Sequence, residues 1–292
     1  MKVQWSDVNL ILKDLLIEGY GVLKKASIGS YQIDAQLLLG KVLKKDRLFI
    51  LTNPDYHIKE EEKEKYFQLI DLRKNKMPIK YILGTTEFMG LNFNIKKGVL
   101  IPRPDTEILV ETVLEEIKNK NYKQICDVCC GSGIIGITIG YTLNNTEIIC
   151  YDIEDIPYNT TKENILKHNL QDRVKALKSD LLTEAIKEKR RFDLIVSNPP
   201  YIREDVIETL MDDVKKYEPF EALCGGKDGL FFYEGIIKQS LEVLNDGGTI
   251  AFEIGYDQKI QVSHILNEYG FKDVLCIKDL AGKDRVIKAR KY

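Results

Sequence analysis

The sequence predicts an α/β protein with a doubly wound, mainly parallel sheet of seven strands, preceded by a small N-terminal helical bundle. From Gln124 onward, short apolar segments typical of buried strands alternate with segments of helical periodicity, as in βαβ units. At the C-terminus, two strand patterns are joined by Ala281-Gly282, which indicates a hairpin and therefore an antiparallel edge that closes the sheet. Before residue 76, only helical spacing of apolar residues occurs.

The N-terminal segment has apolar residues three and four positions apart, in VNLILKDLLIEGYGVL and in DAQLLLGKVL. Two further helices are predicted, a short one from Asp46 to Leu51 and an amphipathic one from Glu60 to Lys74. We therefore expect a helical bundle over residues 1–76.

The next segment, residues 77–103, loses this helical spacing. Apolar and polar residues alternate around Tyr81–Leu83 and Leu91–Ile95, and glycines mark the turns, so we expect a β-hairpin linker. The α/β domain is predicted over residues 104–292, with Pro104 in the first turn of its opening helix. Its strands are expected at QICDVC, EIICYD, VKALKSD, RFDLIVSN, GGTIAFEIG, FKDVLCIKDL and KDRVIKARK, with helices after the first, second and fourth.

Composition and charge restrict the function classes. The 292 residues carry a net charge of −2, which argues against stable binding to a nucleic-acid backbone. No apolar run approaches the ~18 residues of a spanning helix, and the N-terminus lacks a signal-peptide pattern, so we expect a cytoplasmic protein without a membrane partner. We also expect a monomer. Cys126 and Cys129 form a lone C-x-x-C without a second pair, so no metal site is expected.

A glycine motif marks the turn after the first strand of the α/β domain. Gly131, Gly133 and Gly136 spell G-x-G-x-x-G, and Asp152 ends the next strand about twenty residues later. Glycines let the backbone approach a nucleotide, and a carboxylate at that strand end accepts hydrogen bonds from ribose hydroxyls. These features fit NAD as well as an adenosine-bearing methyl donor.

Two further acids favour the methyl donor. Asp127 precedes the glycine turn, where a carboxylate can meet a cationic amino group, which S-adenosylmethionine carries and NAD lacks. Asp180 follows the third strand, where an adenine amino group would lie. With Asp152, three carboxylates at neighbouring strand ends match an amine, a ribose and an exocyclic amine in a row.

The segment FDLIVSNPPYI places Asn198, Pro199, Pro200 and Tyr201 directly after a buried strand. Two prolines end the strand pairing and hold the backbone rigidly. The Asn198 side-chain oxygen and the Pro199 carbonyl can accept the two N–H groups of an amide or amine, and Tyr201 supplies a flat wall. Such acceptors stabilise a nitrogen that gains positive charge during methyl transfer. The tetrapeptide suits a protein amide as well as an adenine or guanine amino group.

Six segments in register resemble the release-factor glutamine methyltransferase family, a class I S-adenosylmethionine-dependent group. They are PIKYILGTTEFMGLNF, VLIPRPDTE, FDLIVSNPPYI, EPFEALCGGKDGL, EIGYDQ and AGKDRV, and the match runs from about Asp34 to the C-terminus. Two positions depart from the family pattern: Asp105 stands where glutamate is usual, and Phe220-Glu221 stand where a basic residue is usual.

The resemblance implies methyl transfer from S-adenosylmethionine to the glutamine amide in the Gly-Gly-Gln motif of class I peptide chain release factors. It also implies that the N-terminal bundle binds the release factor, the protein partner of the enzyme. The predicted catalytic residues are Asn198, Pro199, Pro200 and Tyr201. The predicted cofactor-binding residues are Phe88, Arg103, Asp127, Cys129, Cys130, Gly131, Ser132, Gly133, Asp152, Asp180, Leu181 and Asn198.

Three other functions remain open from the residues alone. They are an exocyclic-amine methyltransferase acting on nucleic acid, a nicotinamide dehydrogenase, and a binding module that keeps the fold without the chemistry. Binding to RNA or DNA with a strong salt dependence would favour the first, and cofactor titration would identify the second. Intact Asn198 and Tyr201 argue against the third.

Overall fold

Helices make up the regular structure between residue 10 and Gly84 in the computed structural model, which describes residues 10–292. This part of the chain forms one compact unit, and Thr85–Tyr292 form a second. The helices of the small unit are α1 (Leu12–Lys25), α2 (Tyr31–Leu43), α3 (Arg47–Thr52), α4 (Glu60–Lys74) and α5 (Ile79–Leu83).

The small unit has its own apolar core and one buried ion pair. Leucines spaced along α1 and α2 pack around the fully buried ring of Tyr66 on α4, where Gly19 leaves room for the Tyr66 hydroxyl. The Arg73 Nε atom lies 2.7 Å from Asp34 Oδ2, which ties α4 to α2. Because the ion pair is shielded from water and Arg73 also donates to the Met77 carbonyl, it fixes how these helices pack.

Residues Ile79–Leu83 are helical, so the strand predicted around Tyr81 is wrong. A run of five residues is too short for its periodicity to separate helix from strand, and Gly84, with φ of 76°, ends the helix in the left-handed conformation. The predicted hairpin is present but shorter, with strands β1 (Thr85–Phe88) and β2 (Leu91–Asn94) paired antiparallel. The hairpin belongs to the second unit, whose core includes two of its phenylalanines.

The second unit contains a sheet of seven strands, β3 (Gln124–Val128), β4 (Glu147–Asp152), β5 (Val174–Lys178), β6 (Phe192–Ser197), β7 (Leu244–Glu253), β8 (Lys272–Lys278) and β9 (Asp284–Arg290). Their order in the sheet is β5-β4-β3-β6-β7-β9-β8. The first five strands in this order pair in parallel, and β9 pairs antiparallel with both β7 and β8. This arrangement confirms the predicted fold class, including the closing hairpin.

Two apolar cores lie on the two faces of the sheet, as expected for a doubly wound fold. The helices of this unit are α6 (Thr106–Lys120), α7 (Ile134–Thr142), α8 (Asp155–Lys167), α9 (Thr183–Lys187), α10 (Glu204–Ile207), α11 (Asp212–Tyr217), α12 (Phe231–Val243) and α13 (Lys259–Glu268), with a 3₁₀ helix at Phe220–Ala222. One core joins the sheet to α6, α7 and α8, and the other joins it to α9, α12 and α13. Among the helices of residues 10–292, none combines the length and the apolar character needed to cross a membrane.

Candidate active site

Five neighbouring strands end at the same edge of the sheet, and each end carries a polar residue. In the order β5, β4, β3, β6 and β7, these residues are Asp180, Asp152, Cys129, Asn198 and Glu253. Strand β3 pairs with both β4 and β6, so the direction of winding reverses beside it. Open α/β sheets bind ligands in the crevice at such a reversal.

The turn between β3 and α7 alternates left-handed residues. Cys129, Gly131 and Gly133 have φ values of 58°, 61° and 77°. A Cβ atom on Gly131 would meet only Val99 Cγ1, at 3.9 Å, so the backbone edge at Gly131 is open to a ligand. A Cβ atom on Gly133 would lie 2.7 Å from Thr161 Cγ2, so this glycine permits close packing of α8.

Asp152 is half-buried at the end of β4 and faces this turn. Its Oδ2 atom accepts a hydrogen bond from the Gly131 amide at 2.9 Å, and its Oδ1 atom accepts one from the Glu154 amide at 3.1 Å. Burial raises the pKa of the Asp152 carboxyl, while the two amide donors oppose that shift. Each carboxylate oxygen keeps a lone pair for a further donor, such as a ribose hydroxyl.

Asp127 lies beneath the turn and is fully buried. Its Oδ2 atom accepts the Gly136 amide at 2.9 Å, and Oδ1 has no hydrogen-bond partner within residues 10–292. A Cβ atom on Gly136 would lie 2.5 Å from Cys150 Sγ, so the third glycine of the motif allows α7 to pack closely on β4. Burial raises the pKa of Asp127 to about 7. Direct contact between Asp127 and an ammonium group stays a prediction, and full burial argues against it.

The remaining predicted residues of this half differ in exposure. Asp180 is exposed, and Leu181, with φ of 50°, packs partly against the second core. Cys130 and Ser132 point their side chains into the protein, so only their backbone borders the turn. The Asn164 side chain on α8 donates to the Ser132 carbonyl at 2.9 Å, and this bond ties the β3–α7 turn to α8.

Phe88 and Arg103 make contacts within the protein. The Phe88 ring is 3% exposed and lies edge-on to Phe93, with 6.4 Å between the ring centroids. The Arg103 guanidinium lies 2.6 Å from Glu218 Oε1, and Glu218 Oε2 accepts the Ile101 amide. The structure therefore shows an aromatic core contact and a braced loop at these positions, and a role in cofactor binding stays a prediction for both.

Asn198 is brought beside the β3–α7 turn by the register of β6. Ser197 pairs with Val128, and the Ser197 hydroxyl donates to the Val128 carbonyl at 2.6 Å. Pro199 and Pro200 are buried, while Asn198 and Tyr201 are partly exposed. No donor within residues 10–292 reaches the Pro199 carbonyl or Asn198 Oδ1, so this part of the chain uses neither oxygen as an acceptor.

A buried carboxylate behind Asn198 was not predicted from the sequence. The Thr106 hydroxyl donates to Glu253 Oε2 at 2.7 Å and lies 3.2 Å from Asn198 Nδ2. The Tyr201 hydroxyl donates to Glu253 Oε1 at 3.2 Å. Glu253 is 1% exposed, and burial raises its pKa. The only sequence signal for this group was that Thr106 and Glu253 lie in two of the segments that resemble a family.

The two cysteines of the C-x-x-C motif lie on β3 and directly after it. Burial raises the pKa of Cys126 and Cys129, which keeps both thiols protonated. Within residues 10–292, no three His, Cys, Asp or Glu side chains gather in a way that would hold a metal ion.

Two family models match the chain, one described as the PrmC N-terminal domain over residues 14–84 and one as the methyltransferase small domain over residues 104–216. A protein of Clostridium acetobutylicum named release factor glutamine methyltransferase is 52% identical over 278 residues, which cover 95% of this chain and 98% of that protein. The chain belongs to the release factor glutamine methyltransferase family. A member from Fusobacterium nucleatum is 39% identical across 99% of this chain and 81% of its own length.

Solved structures agree on the methyltransferase fold. The N-terminal domain of human METTL16 in complex with SAH superposes with a TM-score of 0.54 at 20% identity, covering 87% of this chain and 94% of that one. A methyltransferase from Pyrococcus furiosus gives 0.51 at 18% identity, covering 70% and 90%. At these identities the likeness concerns the fold alone.

The residues at the strand ends divide into two chemically different groups. Asp180, Asp152 and the glycine turn supply acceptors and open backbone, as a nucleotide requires. Asn198 and Tyr201 supply an oxygen acceptor and an aromatic face, as a planar amide requires. The register of β3 and β6 pairs Val128 with Ser197, so the β3–α7 turn and Asn198 lie next to each other.

Proposed function

We propose that this chain transfers a methyl group from S-adenosylmethionine to the side-chain amide nitrogen of the glutamine in the Gly-Gly-Gln motif of class I peptide chain release factors. The observation that carries this conclusion is family membership, at 52% identity over 95% of the chain. The predicted enzyme class and methyl donor are confirmed by this membership.

The residues of the first group fit S-adenosylmethionine. The backbone edge at Gly131 is open to a ligand, and the Asp152 carboxylate beside it retains lone pairs that ribose hydroxyls could use. Asp180 is exposed beyond the end of β5 and can accept a hydrogen bond from an adenine amino group. When bound, S-adenosylmethionine would supply a methyl group on a positively charged sulfur. As the amide nitrogen bonds to the methyl carbon, the carbon–sulfur bond would break and leave S-adenosylhomocysteine as a neutral thioether.

We infer that Asn198 and Pro199 orient the substrate amide. An amide nitrogen is a poor nucleophile because its lone pair is delocalised into the carbonyl group. Asn198 Oδ1 and the Pro199 carbonyl can each accept one N–H bond, which aims the nitrogen lone pair toward the residues that fit the cofactor. Both bonds strengthen as the nitrogen gains positive charge, so they stabilise the transition state more than the ground state.

Proton removal needs no dedicated base in this proposal. The methylated nitrogen is acidic while it carries positive charge, so it loses its extra proton to water. Tyr201 contributes its ring face, since its hydroxyl is engaged with Glu253 and burial raises its pKa. Pro200 is buried and keeps the Pro199 carbonyl from moving as the reaction proceeds.

We further propose that the N-terminal bundle binds the release factor, and that the protein acts as a cytoplasmic monomer. The support for a separate role is that the bundle has its own core and forms a unit that ends at Gly84. The net charge of −2 supports a protein substrate over a nucleic acid.

A competition experiment tests the proposed substrate. Purified enzyme, labelled S-adenosylmethionine and a recombinant class I release factor are incubated with an excess of total RNA and DNA. We expect label on the release factor, and none on a release factor whose Gly-Gly-Gln glutamine is replaced by alanine. Label on the nucleic acid, or equal label on the alanine variant, would contradict the proposal.

A further inference from the structure

The side chain of Asn198 can present either its oxygen or its nitrogen to the crevice, and its neighbours determine which. Glu253, when ionised, can only accept hydrogen bonds. The Thr106 hydroxyl has a single hydrogen, which it donates to Glu253 Oε2 at 2.7 Å. Thr106 Oγ1 can then act only as an acceptor toward Asn198, so the amide nitrogen faces Thr106, at 3.2 Å. The Asn198 oxygen is consequently turned away from Thr106.

The same carboxylate also holds the aromatic wall of the site. The Tyr201 hydroxyl donates to Glu253 Oε1 at 3.2 Å, so the two oxygens of Glu253 serve the two functional side chains of the tetrapeptide. Glu253 is 1% exposed and Thr106 is 1% exposed, so water does not compete for these bonds.

We propose that Glu253 is a positioning residue that sets the orientation of the Asn198 amide through Thr106 and fixes the Tyr201 ring directly. The inference rests on the proposed function, because the orientation matters only if Asn198 Oδ1 accepts a substrate N–H. Neither Thr106 nor Glu253 touches the reacting atoms, so their effect on rate passes through Asn198 and Tyr201.

The orientation depends on the charge of Glu253. A protonated carboxyl can donate to Thr106, which frees the Thr106 hydrogen to point at Asn198 and favours the opposite amide orientation. Besides Thr106, the groups that act on the carboxyl are Arg285 and the Tyr201 hydroxyl, which favour its charged form, and Asp105, which opposes it. The Tyr233 hydroxyl donates to the backbone carbonyl of Glu253 at 2.9 Å. Burial outweighs the hydrogen bonds and the positive charge of Arg285, and it raises the Glu253 pKa. The methylation rate should therefore fall at acidic pH, and the midpoint of this fall should lie above the pKa of an ordinary glutamate.

A purely structural role for this network predicts something different. A buried carboxylate needs partners wherever it lies, and removing one partner then costs stability without a selective loss of rate. The two roles separate if stability, cofactor affinity and single-turnover rate are measured on the same variants.

The central variant is Thr106→Val, which keeps the shape of the side chain and removes the hydroxyl. We expect single-turnover methylation of the release factor to slow about 10- to 100-fold, as a misplaced reacting group does, with unchanged S-adenosylmethionine affinity. Thr106→Ser keeps the hydroxyl and should retain a rate close to wild type. Thr138→Val is the matched control, because Thr138 is also buried and its hydroxyl has no hydrogen-bond partner within residues 10–292. Its rate should equal that of wild type.

A double-mutant cycle gives the decisive readout. In the Asn198→Ala background, Thr106→Val should cause no further slowing, because the group through which Thr106 acts is gone. Glu253→Gln should lose the acidic fall of the pH–rate profile that wild type shows. Equal slowing of wild type and Asn198→Ala by Thr106→Val, or a Thr106→Ser variant as slow as the valine, would overturn the positioning role while leaving the proposed function intact. A wild-type enzyme that transfers no methyl group to the release factor would overturn the proposed function, and the positioning role with it.

Discussion

Replacing Asp152 by alanine should weaken S-adenosylmethionine binding strongly. In the structure the carboxylate holds the amides of Gly131 and Glu154 and keeps lone pairs for two ribose hydroxyls. Losing two charge-assisted bonds corresponds to about 2–4 kcal/mol, or a dissociation constant about 30- to 900-fold higher. Asp152→Asn keeps an acceptor without the charge and should fall between wild type and alanine.

Isothermal titration calorimetry measures the affinity, and the melting temperature without cofactor shows whether the turn survives the loss of the Gly131 bond. Glu154→Gln is the control, since it removes the same charge two residues away on an exposed side chain and should change binding by less than about 0.5 kcal/mol. A folded Asp152→Ala variant that binds as wild type, or an equal loss in Glu154→Gln, would refute a ribose contact.

Four further outcomes follow from the structure. Asn198→Ala should lower the single-turnover methylation rate about 10²- to 10³-fold at an unchanged melting temperature, and a wild-type rate would exclude Asn198 from orienting the substrate amide. Tyr201→Phe should lower the rate less than Tyr201→Ala does. Because burial raises the pKa of Asp127 from 3.8 to about 7, the folded state keeps a proton that the unfolded chain releases between those pH values, so the free energy of unfolding falls as the pH rises, by up to about 4 kcal/mol. Urea unfolding should therefore show Asp127→Asn gaining stability over wild type as the pH rises, and a constant difference would contradict the burial argument. Cys129→Gly should be about 1 kcal/mol more stable than Cys129→Ala, because a residue with a Cβ atom is strained at the φ of 58° that position 129 adopts. Equal urea midpoints for the two variants would contradict this. Deleting residues 1–84 should keep cofactor affinity in calorimetry and abolish methylation of the release factor, whereas full turnover by the folded remainder would exclude the bundle from substrate binding.

The alternation of apolar strands with longer helical segments was enough to predict the sheet, because parallel strands are covered on both faces and read as continuous apolar runs. Short elements could not be predicted, because they contain too few residues to show a pattern. The alternation around Tyr81–Leu83 predicts a strand where the structure has the five-residue helix Ile79–Leu83. Helices α10 and α11 are four and six residues long with several charges, so neither shows a periodicity.

The strand-end residues Asp152 and Asn198 could be found from the sequence because each follows an apolar strand. The Thr106–Glu253 contact could not, since its residues are 147 positions apart and meet only through the strand order of the folded sheet. The left-handed conformation of Cys129 could not be predicted either, because a cysteine in the sequence does not indicate that conformation as a glycine does.

The most direct test of the central claim is to locate the transferred methyl group by tandem mass spectrometry of the release factor after a single turnover. The account predicts one added methyl group on the side-chain nitrogen of the Gly-Gly-Gln glutamine, formed at a rate that Asn198→Ala reduces. A methyl group on another residue, or on the same glutamine at an equal rate without the Asn198 side chain, would contradict it.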